Sequence, residues 1–204
     1  MPIHILPGPG DPSGAIMPQQ PFPKAIFGQA STKFESFYSE SNPTYINIGS
    51  SSKSKKGCRR SILVNSGQPL DDMFKYLPSP PITRLSILEN TLKWRHMSPT
   101  APDTLWCHPY FTADPFIIKE TPHIYVVGAQ PEFGTKLITE QKRGGEKIRS
   151  RIVLLPSFAK SGTLVVVNIR TLEVRCVNFA VEGMMTADEA DVLSGALPIN
   201  RFPD

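Results

Sequence analysis

Apolar residues fall along this chain in short runs broken by Pro and Gly, not in long helical stripes. The first run, 3–6, ends at Pro7-Gly8 and reads as a buried strand running into a loop. Residues 7–24 are too rich in Pro and Gly to sustain regular structure. Residues 34–39 and 44–48 flank Ser41-Asn42-Pro43 and predict a strand, a turn and a strand. A further strand is predicted over 61–65, stopping at Ser66-Gly67.

The spacing then turns helical. Pro69 suits the first position of a helix, Asp71 and Asp72 complement its dipole, and Met73, Phe74 and Leu77 form its apolar side. The prolines between 78 and 81 end it. Thr83 is positioned to cap a second helix reaching about Trp94. Leu85, Leu88 and Leu92 form its inner face, and Glu89 with Lys93 makes an i,i+4 pair outside. Both helices are expected to pack on a sheet, each buried leucine contributing about 1.5–3 kcal/mol. Further strands are predicted at 116–118, 123–127, 151–155, 163–170 and 172–179. The last three read as an antiparallel meander, with Ala159-Lys160-Ser161-Gly162 as its clearest turn. A short acidic helix is expected at 187–193, in a tail spanning 182–204. The sum is an α/β (α+β) fold, helices packed on mixed sheets with a large antiparallel part. A lone strand entering a Gly/Pro loop looks like a domain joined in mid-fold. The expectation is a single body over 1–181 whose first half-sheet is missing, with an exposed edge and poor solubility.

Composition narrows the class. A chain of 204 residues, 40% hydrophobic and 20% charged, suits one globular domain, and its 21 prolines favour stiff connections over a helical bundle. No apolar run approaches the roughly 20 residues of a membrane span, and residues 1–6 lack the pattern of a secretory signal. Cys58, Cys107 and Cys176 are scattered, which argues against a disulfide framework or structural zinc site and for a reducing compartment. The formal charge of +4 is concentrated in an insertion at 50–61, which holds Lys53, Lys55, Lys56, Arg59 and Arg60. Without those five charges the chain is close to neutral, so the basic balance reads as a loop property and not a face. The loop could touch DNA phosphates. Lacking aromatic residues, it would do so without reading bases, and a solvated insertion is the simpler reading.

Side chains suited to chemistry are sparse. His4, His96, His108 and His123 show no ligand-pair spacing and read as hydrogen-bonding core or loop residues. Asp71-Asp72 reads as helix stabilisation, and Gly144-Gly145 is too short to cradle a phosphate.

Two stretches carry a family resemblance. Residues 95–104, RHMSPTAPDT, closely resemble a signature of the DNA polymerase delta small subunits. So do Asp114-Pro115-Phe116-Ile117 and the later run from Pro122 to Gly128. Leu6-Pro7-Gly8, Pro18-Gln19-Gln20-Pro21, Ser66-Gly67-Gln68 and Asp71-Asp72 fall in the same order and spacing. The likeness spans about 3–179. It implies the second half of a calcineurin-like metallophosphoesterase sandwich, without the family's OB domain or first metal-binding strands. It also implies a nuclear, non-catalytic accessory role in DNA replication. That role is to bridge the catalytic subunit's C-terminal domain and the third, clamp-binding subunit, with DNA met through the holoenzyme.

Active relatives of that fold hold two metals about 3.5–4 Å apart to make a hydroxide nucleophile. Lowering the pKa of water from about 15.7 to about 7 is worth roughly 12 kcal/mol. By the resemblance, Gly8-Pro9-Gly10-Asp11 stands where the active form has Gly-Asn-His-Asp, leaving Pro9 and Gly10 with no ligand atom. Ser66 stands for a His before Gly67, and Ala129 and Gln130 fall in the Gly-His-x-His motif. No metal, cofactor or catalysis is therefore expected. Pro99 and Pro102 stiffen the 95–104 segment, which reads equally as a partner surface with Arg95 or as an internal brace. Trp106, Tyr110 and Phe111 are interface candidates, Trp106 being assigned to the core by preference. Two alternatives stand beside this reading: a divergent active phosphoesterase using Asp11, Asp71 and Asp103, and a small subunit of another replicative polymerase.

Overall fold

The computed structural model describes residues 2–29, 33–49, 59–78, 80–141 and 147–179. Lys53, Lys55 and Lys56, the helix expected at 187–193 and the tail lie outside these residues. A mixed five-stranded sheet forms the centre: β3 (Thr44–Ile48), β4 (Arg60–Asn65), β5 (Ile124–Gln130), β6 (Gly134–Gln141) and β7 (Lys147–Pro156), in the order β3-β4-β5-β7-β6. β4, β5 and β7 run parallel, and β3 and β6 close the edges antiparallel. The mixed α/β expectation holds.

One cross-strand row holds this sheet. Leu63 pairs with Tyr125 and Tyr125 with Ile152, and all three are fully buried. Around them a core of Leu70, Met73, Ile87, Leu88, Leu92, Met97 and Phe116 packs on the same face. Leu70 and Met73 come from α1 (Gln68–Met73), and the next three from α2 (Arg84–Trp94). The opposite face carries Ile124 and Val153, which pack with Leu172 from the connection between β8 (Thr163–Val167) and β9 (Val174–Asn178). The sheet is thus covered by helices on one side and a strand pair on the other.

The helix signals are borne out. Thr83 accepts a bond from the Ser86 amide at 3.2 Å while the Ser86 hydroxyl accepts from the Thr83 amide, a reciprocal cap. Lys93 Nζ lies 2.7 Å from Glu89 Oε1. Pro69 opens α1, which stops at Met73, so Phe74 and Leu77 join the core from the following turn.

Several strand expectations need correction. β1 (Ile3–Ile5) is not a buried strand: it pairs in parallel with β2 (Phe37–Ser39) in a separate two-stranded sheet, and Ile3 is 49% exposed. Consequently 34–39 and 44–48 are not hairpin partners, since β2 leaves with β1 and β3 joins β4. Residues 116–118 make only an isolated bridge, from Ile117 to His96. The meander reduces to β8 and β9, because β7 pairs with β5 and β6 instead. The turn expected near 159–162 is a one-turn helix, α3 (Phe158–Ser161), closed by Gly162 at φ 62°. β6 has no counterpart among the predicted strands. Its adjacent Leu137 and Ile138 serve opposite faces of the sheet, which erases the alternation that announces a strand.

Two substitutions test this packing. Thr83→Ala should lower stability to urea by about 1 kcal/mol through loss of the cap. Leu88→Ala should cost about 2–5 kcal/mol by opening a cavity under the sheet.

Candidate functional site

In a sheet with parallel strands, side chains for chemistry collect where the strands end. The carboxyl ends of β4 and β5 lie beside the loop after β1, so the three segments singled out by resemblance do meet. The Ser66 hydroxyl bonds the Pro7 carbonyl, and the Ser66 amide donates to Asn42 Oδ1 at 3.1 Å. Pro9, Gly10 and Asp11 sit on the exposed outside of the loop, where Asp11 Oδ2 accepts from the Gly8 amide at 2.7 Å.

The interior of the junction is filled by carboxamides. Gln19 is buried and donates through Nε2 to the Gly8 and Gly14 carbonyls at 3.0 and 2.8 Å. Its Oε1 accepts from Asn42 Nδ2 at 2.7 Å and from Gln68 Nε2 at 2.8 Å. Asn65 Oδ1 takes the Gly67 amide at 2.9 Å, and Asn65 Nδ2 reaches the Tyr125 hydroxyl at 3.3 Å. Burial holds that phenol protonated far above its ordinary range. β5 bulges after Val127, with Ala129 at φ 52°, and this turns Gln130 inward. Gln130 Nε2 bonds the Gly128 carbonyl at 2.9 Å, and its Oε1 accepts from Arg84 Nη1 at 2.7 Å. Arg84 also pairs with Asp71 at 2.5 Å and lies 4.8 Å over the Phe74 ring, so α1, α2 and β5 are clamped together.

Each amide both donates and accepts, so the side chains that fill the junction are neutral and already partnered, with the Arg84–Asp71 pair at its rim. Among the described residues, no three His, Cys, Asp or Glu side chains are grouped so as to hold a metal. Gln19, Asn42 and Gln68 carry no periodic signal in the sequence. Only their neighbourhood with Pro18, Pro43 and Pro69 marks them as turn and helix-start positions.

The 95–104 segment is tied into the fold, while Pro99, Pro102 and Asp103 stay exposed. Arg95 ends α2 at φ 61° and His96 ties the chain to Asp114, Nε2 to Oδ2 at 2.7 Å. Met97 and Ser98 are buried, and the Thr104 hydroxyl donates to Asp72 Oδ2 at 2.6 Å. Asp72 is buried and also paired with Lys75 at 2.6 Å. It therefore latches this segment to α1 in addition to facing a helix dipole. Burial alone would raise its carboxyl pKa, but the bonds from Lys75 and Thr104 outweigh that and hold it below the usual value.

The remaining residues separate. Trp106 is 69% exposed, which overturns its core assignment, and Phe111 is 97% exposed. Tyr110 lines a groove with Tyr45 and Ile117. His4 bonds Glu40 at 2.8 Å and His123 bonds Ser61 at 3.0 Å, so both serve as hydrogen-bonding residues. Arg95 and Arg60 meet at the other end of the sheet, in a cleft that also takes Lys119, Lys147 and Arg149. The basic charge is thus gathered on a face that a residue-by-residue pass misses.

A family model that describes the B subunits of DNA polymerases alpha and epsilon matches residues 1–135, which include the whole amide network. The chain is 38% identical over 182 residues to DNA polymerase delta subunit 2 of Drosophila melanogaster, covering 89% of this chain and 38% of that protein. It is 37% identical over 180 residues to the DNA polymerase delta small subunit of Oryza sativa subsp. japonica, covering 88% and 38%. With the Saccharomyces cerevisiae DNA polymerase delta small subunit it shares 33% over 200 residues, covering 88% and 39%. The chain therefore spans about two fifths of the length of these relatives.

Gly67 has φ 100°, and a Cβ there would fall against the Gly128 carbonyl oxygen and 2.6 Å from Gln130 Nε2. Gly67→Ala should cost more than about 1 kcal/mol in urea unfolding. Asp72 gives a pH test. Its carboxyl is held lower in the folded chain than in the unfolded one, so the unfolded chain takes up the proton first as pH falls. The stabilisation is complete above about pH 4 and is lost as pH drops through the folded value. Asp72→Asn should lower stability at pH 7 and flatten its decline below pH 4, as read from melting temperature against pH.

Proposed function

Because this chain belongs to the family of DNA polymerase alpha/epsilon B subunits, we propose that it acts as part of the non-catalytic small subunit of DNA polymerase delta, a nuclear scaffold in DNA replication. The observation that carries the non-catalytic reading is the carboxamide filling of the strand ends, with Gln19, Asn42 and Gln68 bonded to one another and Gln130 held by the Gly128 carbonyl and Arg84. Neutral amides that already satisfy each other offer no anionic or imidazole cradle for two divalent ions. The positions Pro9, Gly10, Asp11, Ser66, Ala129 and Gln130 are on this reading a degenerate metal site converted to structural use. Similarity to delta small subunits favours delta over another replicative polymerase.

As a scaffold, the body is stiff where it needs to be. The 95–104 segment is latched through Asp72 and His96, so its outer neighbours present a shape that loses little entropy on docking. Trp106 and Phe111 are exposed aromatics beside that segment and are the anchors this reading assigns to a partner. The partners proposed are the catalytic subunit's C-terminal domain and the third, clamp-binding subunit. Among the described residues no helix is long and apolar enough to cross a membrane.

Affinity purification of the tagged protein from its source cells tests the assignment. The delta catalytic subunit should co-purify in stoichiometric amount, and Trp106→Ala with Phe111→Ala should weaken capture at least tenfold without altering the melting temperature. Recovery of the alpha or epsilon catalytic subunit instead, or manganese-dependent turnover of a phosphodiester, would overturn it.

A further inference from the structure

The amino-terminal ends of β4, β5 and β7 lie at the edge of the sheet opposite the amide network. They line a cleft of about 500 Å³ with five basic side chains and one carboxylate, Glu120. The cations come from four places: Arg60 from β4, Arg95 from the end of α2, Lys119 from the approach to β5, and Lys147 and Arg149 from β7. Lys147 and Arg149 alternate along the strand and are both exposed. Lys119, Lys147 and Arg149 have no carboxylate within ion-pair distance among the described residues, and Arg95 reaches Glu140 only at 3.9 Å. Five cations set against Glu120 and Glu140 leave a net positive local potential that invites an anion.

A second groove adjoins this cleft and shares Ser61, Lys119 and Glu120 with it. It presents the exposed rings of Tyr45 and Tyr110. Cations that track a phosphate backbone, beside rings on which bases stack, are the two components of single-strand recognition. An acidic peptide would use the first and have no need of the second.

We propose that this edge is a binding site for single-stranded nucleic acid, with the backbone in the Arg60–Arg95–Lys119–Lys147–Arg149 cleft and bases on Tyr45 and Tyr110. The site reads no sequence, because its cations reach phosphates and its rings accept any base. Membership of a replicative polymerase complex, the reading above, supplies the setting in which a displaced or template strand is at hand.

The test uses the complete chain and a fluorescein-labelled oligo-dT 20-mer, with binding followed by anisotropy from 50 to 300 mM salt. The triple variant Lys119→Ser, Lys147→Ser, Arg149→Ser should bind at least tenfold more weakly and flatten the log–log salt slope by about 2, three phosphates at about 0.7 each. Tyr45→Leu should weaken binding about tenfold with the salt slope unchanged. Unaltered melting temperatures identify these as surface effects. A triple variant that binds with wild-type affinity and slope overturns the proposal, as does displacement of the oligonucleotide by an equal charge of poly-glutamate. Capture of the delta catalytic subunit is measured on the same proteins. Capture without oligonucleotide binding sinks this inference alone, and oligonucleotide binding without capture sinks the subunit assignment alone.

Discussion

The structure depends on the buried row Leu63–Tyr125–Ile152, which fixes the register of three parallel strands. Parallel pairing sends all like ends to one edge, so a single register decides two environments at once. At the carboxyl edge the strands end on Asn65-Ser66-Gly67 and Gly128-Ala129-Gln130, and amides close the junction. At the amino edge the same strands begin on Arg60 and on Lys147 and Arg149. Tyr125 ties the row to the network, because its hydroxyl meets Asn65. A slip by one residue would expose the row and separate the amides together.

The two edges differ in how their polar groups are satisfied. Buried Gln19 and Asn42 have partners for both donor and acceptor atoms, which makes their burial tolerable and their geometry stiff. At the amino edge Lys147 and Arg149 are exposed and solvated, hence cheap to keep without a carboxylate partner and ready to exchange water for phosphate. Stiffness at one edge and charge held open at the other are what the role proposed above calls for.

Much of this was legible in the sequence, and the reasons are local. Thr83, Pro69 and the Leu85–Leu88–Leu92 spacing announced their helices because capping and period act within a few residues. The 95–104 segment announced the family, which now rests on the match over residues 1–135. What escaped was non-local. β6 was hidden because Leu137 and Ile138 face different layers, and β1 chose β2 across more than thirty residues of sequence. Hydrophobicity assigns Trp106 to the core, yet its backbone holds Met17 while its ring faces solvent. The basic cleft was invisible because its cations are scattered from Arg60 to Arg149 in the chain and meet only once the strands align.

The most direct test of the central claim is a calorimetric titration of the purified chain with manganese. If neutral carboxamides close the carboxyl edge, no saturable binding at that edge should be seen at micromolar metal, and Gln19→Ala with Asn42→Ala should leave the titration unchanged. Two ions bound tightly, with affinity lost in that double variant, would contradict the account.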